Sequence, residues 1–217
     1  MSQLMKSTIE SYYRRTKDSN PLYRNARMGR LKAENIHAYL NNVLYLVQHT
    51  PIHLSYAKSQ ASARKMKALA VFFESKMKEE IGHDKWAEND LSEMKKKFGS
   101  DTQRDLSPHM VRLVEFIHDT IERDPSLYVA YIFLAEYFTV LAAPEWLRDL
   151  ETNCGIPRAM MSVIGNHSEL DKEHVAEDIE QIEAFFADVE NPEPFLEVLK
   201  TAHTLYENFC SEVGKTK

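Results

Sequence analysis

The chain has 217 residues, a length that allows one domain, or at most two, with a sizeable core. With 43% apolar and 28% charged residues, its composition is that of an ordinary soluble globular protein. The formal net charge of −6 argues against a nucleic-acid partner. Glycine is scarce, at six residues, and the many Glu, Lys, Ala, Leu and Met residues favour helices over a β-sandwich or barrel.

The seven principal helical segments that we predict are separated by Pro, Gly, Asp and Asn residues. Asn20-Pro21 ends the first, and a basic turn follows through Gly29. Thr50-Pro51 predicts a kink or break after the second, with a further short helix behind it. In chain order, the predicted helices span residues 3–16, 32–49, 52–62, 64–98, 108–123, 126–150, 157–189 and 195–213.

Three helix ends are marked by specific capping residues. Gly99 is suited to the position just after the third principal helix, within which a bend at Gly82 is left open. Ser107 before Pro108, and Asp124 before Pro125, are typical N-caps. No strand-like alternation, internal repeat or long linker occurs in the sequence. We therefore predict an all-α fold in one domain spanning residues 1–217.

Cysteine usage and the apolar segments indicate the compartment. The two cysteines, Cys154 and Cys210, are too few for a disulfide framework and fit a reducing cytoplasm. The first residues, Met-Ser-Gln-Leu-Met-Lys, lack the apolar segment of a secretory signal. The most apolar stretch, residues 127–143, is interrupted by Glu136 and is short for a membrane span, so we interpret it as a buried helix. We expect a cytoplasmic protein without membrane contact.

The segment His167-Ser-Glu-Leu-Asp171-Lys-Glu-His174 is the most informative part of the sequence. Spacings of four and three place His167 and His174 within about 20° of each other on a helix, with Asp171 between them. Imidazole and carboxylate ligands together suit iron, manganese or zinc. The competing interpretation is a solvated helix face, because charged residues lie between the three ligands.

A second pair of ligands lies upstream, in Glu79-Glu80-Ile-Gly-His83. Glu80 and His83 are three apart and would be neighbours on a helix, so that both could bind one metal ion. Glu79 is the alternative carboxylate, and we prefer Glu80. The competing interpretation is again an ordinary exposed face of a Glu-rich helix.

Glu136 is a lone carboxylate in the apolar run Ile132-Phe-Leu-Ala-Glu-Tyr-Phe. An ionised carboxylate in such a helix needs a partner, because burying it alone is costly. The partner could be a metal ion, or the residue could form a salt bridge or mark a kink. We prefer the metal, because two other sets of ligands are at hand.

The combined set suits two metal ions in the core of a helical bundle. It contains three carboxylates and three imidazoles, which is too many for a structural zinc site. A ferritin-like centre would need two ExxH motifs, and this chain offers one. The six predicted ligands are Glu80, His83, Glu136, His167, Asp171 and His174.

The order of these motifs resembles that of the haem-oxygenase-like di-iron oxidases, relatives of the TenA and PqqC proteins. The similarity covers about residues 31–186 and includes Cys154-Gly-Ile-Pro157, which is similar to the family's entry into the last motif. The resemblance implies a bundle of seven to eight helices and the same six ligands. It also implies two non-haem iron ions, or manganese, and an enzyme that uses O₂ to oxidise a small organic substrate. The identity of that substrate does not carry over.

The roles within the centre are a further hypothesis. Glu80 and Glu136 are the preferred bridging ligands, with His83 and His174 on one ion and His167 and Asp171 on the other. The apolar helix around residues 127–143 suggests a partly hydrophobic substrate. A homodimer is left open.

Two other classes of function remain open at this point. One is a metal-free enzyme of TenA or PqqC type, either a thiamin-related hydrolase or a cofactorless oxidase. The TenA type uses a cysteine in the bundle and a C-terminal Glu, for which Cys154 and Glu207 are the candidates. The other class is a non-catalytic metal-binding bundle. Haem degradation is disfavoured because the sequence contains no glycine-rich helix.

Overall fold

The computed structural model describes residues 1–99 and 106–216, and these form an all-α bundle, as predicted. A short 3₁₀ helix, Arg158–Met160, precedes the eighth α-helix. The α-helices are α1 (Ser2–Ser19), α2 (Pro21–Arg27), α3 (Ala33–Ala63), α4 (Lys67–Glu80), α5 (Asp84–Phe98), α6 (Pro108–Arg123), α7 (Pro125–Cys154), α8 (Ser162–Phe185) and α9 (Glu193–Val213).

The capping residues explain why most helices begin and end where they do. The side chains of Ser107 and Asp124 accept hydrogen bonds from the first-turn backbone of α6 and α7, which both open with proline. Gly99 and Gly155 follow α5 and α7 with φ values of 66° and 68°, a left-handed conformation that favours glycine. The predicted ends at Gly99, Ser107 and Asp124 are confirmed.

Two predictions about the first half of the chain are wrong. The basic turn after Asn20-Pro21 is the helix α2, because Asn20 caps it and Pro21 occupies its first turn. Of the kink or break predicted at Thr50-Pro51, the break and the separate helix over residues 52–62 do not occur, because the 31-residue helix α3 runs without interruption through Pro51. This long helix packs against α4, α5, α6, α7 and α9, and it has buried residues both before the proline, such as Val43, and after it, such as Leu54, so that burial on both sides holds it together.

The predicted helix over residues 64–98 is two helices, α4 and α5, separated by Ile81, Gly82 and His83. Gly82 has a φ of 94°, which a residue with a side chain rarely adopts. The break places Glu80 at the last position of α4 and His83 at the N-cap of α5. The two residues are therefore brought together by a turn, and not by the face of one helix.

The apolar helix α7 lies at the centre of the bundle and contacts α1, α2, α3, α6, α8 and α9. By length and composition alone it could cross a membrane, but 72% of its most apolar window is buried inside the bundle. Each fully buried Leu or Phe side chain in such a core contributes about 1.5–3 kcal/mol. The prediction of a buried helix is confirmed, and α7 carries Glu136 into the core.

Candidate metal centre

Three of the predicted ligands, Glu80, His83 and His167, lie together in the structure. His83 Nδ1 is 3.1 Å from Glu80 Oε2 and 3.1 Å from His167 Nε2. The distance from His167 Nε2 to Glu80 Oε2 is 3.7 Å. Within residues 1–99 and 106–216, these side chains form the compact group of ligand atoms that could hold a metal ion. We call them the triad.

Both imidazole rings of the triad are held by neighbours. His167 Nδ1 is 2.6 Å from the carbonyl oxygen of Val163, one helical turn earlier, so Nδ1–H donates to that oxygen. Nε2 is then the nitrogen that faces Glu80 and His83, as a metal ligand supported by an outer hydrogen bond would be. The His83 ring stacks on Trp86, with ring centroids 4.1 Å apart.

Glu80 and the imidazoles of the triad stabilise each other's charged forms. Burial alone would raise the pKa of Glu80, but hydrogen bonds and charges from His167 and His83 outweigh it and lower that pKa to about 2. Burial would likewise lower the pKa of His167, but Glu80 raises it to about 9. A carboxylate and a positive charge therefore occupy the same small volume.

Asp171 and His174 continue the stripe along α8 but face a different carboxylate. His174 Nδ1 is 3.6 Å from Asp171 Oδ1, and His174 Nε2 is 3.7 Å from Glu79 Oε2. Glu79 and Glu80 thus each face an imidazole, and the structure does not require a choice between them. It also groups His83 with His167, whereas the sequence hypothesis paired His83 with His174.

Glu136 is buried, with 8% of its surface exposed, and it forms a salt bridge. Its Oε1 accepts a hydrogen bond from Lys76 Nζ at 2.9 Å. Lys76 Nζ is also 3.1 Å from Asp178 Oδ1 and 3.8 Å from Glu79 Oε2. The salt bridge weighed for Glu136 in the sequence is therefore present, and its Oε2 lies buried without a hydrogen-bond partner among the described residues.

Lys76 and Asp178 were missed by the sequence analysis. Both are buried, at 5% and 1% exposure. Lys76 lies four residues before Glu80 and Asp178 four residues after His174, so each extends a ligand stripe by one helical turn. That four-residue spacing could have pointed to both residues in the sequence, but lysines and aspartates at such positions are usually solvated.

The electrostatic surroundings keep Lys76 charged. Burial alone would lower its pKa, but the carboxylates of Glu136 and Asp178 outweigh burial and raise the pKa above its usual range. Burial and the nearby Asp178 raise the pKa of Glu136, and Lys76 opposes them. One ammonium therefore lies among more carboxylates than it can neutralise.

A cavity of about 160 Å³ opens beside these residues, and a volume near this value can hold a molecule the size of benzene. Its wall includes Glu80, His167 and Asp171 on one side. Apolar side chains of α3 and α7, such as Val47 and Ile132, line most of the rest. The contribution of the 127–143 segment to an apolar pocket agrees with the sequence interpretation.

Neither cysteine lines this cavity in the part of the chain that the structure describes. Cys154 is the last residue of α7 and its thiol is 3.5 Å from the carbonyl oxygen of Ala26. Glu207 accepts a hydrogen bond from Thr16 and is also absent from the cavity wall. Cys154 and Glu207, the candidates for a TenA-type reaction, therefore do not meet at this cavity.

Comparison with solved structures identifies the fold as haem oxygenase-like. A domain of unknown function with that fold from Shewanella denitrificans superposes with a TM-score of 0.83 at 15% identity, over 97% of this chain and 90% of the other. A TenA homologue from Pseudomonas syringae gives 0.69 at 12% identity, over 97% and 90%. A CADD-like protein of unknown function from Nostoc punctiforme gives 0.66 at 12% identity, over 98% and 97%.

Comparisons based on sequence add no relative. No family model matches the chain, and no curated protein matches it. At 11–15% identity, the structural matches establish the fold alone. The chemistry has to be inferred from the side chains of the candidate centre.

Proposed function

We propose that this protein is a non-haem iron enzyme that uses O₂ to oxidise a small organic molecule. Two iron ions, or manganese, would be held by Glu80, His83, Glu136, His167, Asp171 and His174. The observation that carries the proposal is the triad, in which ligands from α4, the N-cap of α5 and α8 lie together, with Glu80 and His167 in the wall of a cavity.

The triad fits one metal ion of this kind. Ligand atoms about 2.1 Å from an ion and at right angles to one another lie roughly 3 Å apart. The triad distances of 3.1, 3.1 and 3.7 Å are close to that spacing. Glu79 Oε2 and Glu136 Oε2 are buried and accept no hydrogen bond from the described residues, so they could supply further donors. A carboxylate and imidazole set is the one that non-haem iron and manganese prefer.

The protein residues would position and shield the reaction. Val163 and Trp86 hold the triad rings, so the ligand geometry is formed before an ion binds. The apolar walls from α3 and α7 exclude water and bind a substrate with an apolar part. Bound iron would supply the redox chemistry, with O₂ as the oxidant and the organic molecule as the source of electrons. We place this activity in the cytoplasm, without a nucleic-acid or membrane partner.

Anaerobic loading with Fe(II), followed by metal analysis and an O₂ electrode, tests the proposal. We expect iron to be retained after desalting and O₂ uptake to rise when apolar organic acids or amines are added. His109→Ala, which changes a histidine outside the centre, should bind iron as the unmodified protein does. Absence of bound iron in correctly folded protein would favour a metal-free enzyme, and bound iron without O₂ uptake would favour a non-catalytic bundle.

A further inference from the structure

The Lys76 ammonium occupies a position that a metal ion could take. Its Nζ is 2.9 Å from Glu136 Oε1 and 3.1 Å from Asp178 Oδ1, with Glu79 Oε2 at 3.8 Å. The side chain is 6% exposed, so this contact is not a surface ion pair that water can replace. Glu136, which is a predicted metal ligand, is therefore already bound to a cation that belongs to the chain itself.

We propose that the Lys76 ammonium competes with the second metal ion for the carboxylate of Glu136. The triad would take the first ion, because its ligand atoms are grouped and the ammonium does not contact them. A second ion that uses Glu136 would have to displace the ammonium, or bind beside it against its repulsion. The inference rests on the proposed function, since it concerns metal ions that the centre would bind.

The charge of the region explains why a second ion can still bind. Lys76 is the one lysine that the structure pairs with these acids in the described part of the chain. The imidazoles of His83, His167 and His174 also face them. The carboxylates on the ligand stripes are Glu79, Glu80, Glu136, Asp171 and Asp178. With the imidazoles neutral, as metal ligands are, five ionised acids and one ammonium leave an excess of negative charge even after one divalent ion has bound. Lys76 therefore lowers the affinity for the second ion but does not prevent its binding.

The consequence is stepwise loading. The first ion would bind tightly, and the second would bind more weakly than its own ligands allow. Protein prepared with little metal would hold one ion per chain, at the triad, with Lys76 between Glu136 and Asp178. Lys76 thus sets how many ions the centre carries at a given metal concentration.

Lys76→Met tests this, because methionine is nearly as long as lysine but carries no charge. Mn(II) alone is titrated into the full-length protein under anaerobic conditions, and the EPR signal of the free ion gives the two binding steps. We expect the dissociation constant of the first step to change by less than about three-fold. The second should tighten by about ten-fold or more in the variant, as removal of a close positive charge requires. A coupled two-manganese EPR signal should then appear at lower Mn(II).

Two further variants separate charge from structural damage. Lys78→Met is the matched control, because Lys78 lies on the same helix but is 69% exposed and pairs with the exposed Glu74. It should bind both ions as the unmodified protein does. Lys76→Arg keeps the positive charge and should keep the second step weak. If Lys76→Met does not fold, Lys76→Gln replaces it, since glutamine is neutral and can donate a hydrogen bond to Glu136.

The outcomes distinguish this inference from the proposed function. Two equally tight ions in the unmodified protein, or a second step in Lys76→Met no tighter than before, would overturn the role of Lys76 while leaving the metal enzyme in place. One ion in both proteins, however much Mn(II) is added, would overturn the role of Lys76 together with the two-ion form of the centre, and would leave a single-metal site at the triad. Binding of no ion at all by the folded, unmodified protein would overturn both.

Discussion

The candidate centre has two ends, the triad at the C-terminus of α4 and the group of acids around Glu136. The two ends are built from different side chains and hold different partners. At the end of α4, one carboxylate meets two imidazoles, and the ligand atoms are within 3.1 to 3.7 Å of one another. Around Glu136, three carboxylates surround an ammonium. Imidazoles bind transition metals but do not attract an ammonium, whereas carboxylates alone accept either cation. If the centre binds metal as proposed, we expect the end with two imidazoles to bind it first.

The largest expected effect lies outside both ends and tests whether the centre depends on the core packing behind its cavity. Phe209 is fully buried on α9, next to Tyr39 and Tyr206. Phe209→Ala should lower the free energy of unfolding by about 3–5 kcal/mol, because it leaves a cavity in a packed core. Chemical denaturation measures this change. Iron affinity should stay within about two-fold at a temperature where the variant is folded, and a large loss of iron would show that the triad is not locally preformed.

His167→Ala tests the end that is rich in imidazoles. Loss of this ligand should lower the affinity for the first ion by roughly 100-fold, about 2.7 kcal/mol, because Glu80 and His83 alone cannot complete the site. Competition with a metal-binding dye measures the affinity, and circular dichroism should show unchanged helicity. An unchanged affinity for the first ion would contradict the assignment of the triad.

His174→Ala is the matching change at the other end. We expect the affinity for the second ion to fall by roughly ten-fold and the affinity for the first ion to stay unchanged. The same dye competition resolves the two steps. If His167→Ala and His174→Ala weakened the same binding step to the same extent, the two ends would form one site. The contrast between them would then disappear.

The smallest expected effect is a pH dependence that arises away from the centre. His53 is buried beside His49 and His118, and burial together with these two rings lowers its pKa to about 4. The unfolded chain, with a histidine pKa near 6.5, takes up the proton first, so stability is highest above pH 6.5 and falls as the pH drops towards 4. Between pH 7 and 6 the loss should be about 0.7 kcal/mol for this histidine.

His53→Gln provides the comparison for that measurement. Glutamine cannot take up the proton, so the variant should lose less stability between pH 7 and 6 than the unmodified protein does. Chemical denaturation at both pH values measures the difference. A variant with the same pH dependence would show that other groups account for it.

Much of the fold could be predicted because it is encoded locally. Ser107-Pro108 and Asp124-Pro125 mark helix starts through their own hydrogen-bonding chemistry, and the structure confirms both. Pro51 was misjudged because its local cost is offset by packing on both sides of it, which no local pattern reveals. Asn20-Pro21 was misjudged because the same pair is typical of turns and of helix starts.

The candidate centre was predictable in its residue types but not in its grouping. The stripe of His167, Asp171 and His174 follows from helical periodicity. Which imidazole faces which carboxylate depends on the break at Gly82, whose left-handed conformation moves His83 away from a simple helical position. Lys76 could not be assigned, because its burial follows from α4, α7 and α8 packing together and not from its neighbours in sequence. The role of all six predicted ligands in binding metal stays a prediction.

The stacking of Trp86 on His83 gives the protein an internal optical reporter. The chain has two tryptophans, and the other, Trp146, is 3% exposed and packs against Tyr23 and Tyr39. An ion bound by His83 would lie next to the Trp86 indole, and a paramagnetic ion there would quench its fluorescence. Occupancy of the first position could then be followed in real time by emission intensity, without a dye and without turnover.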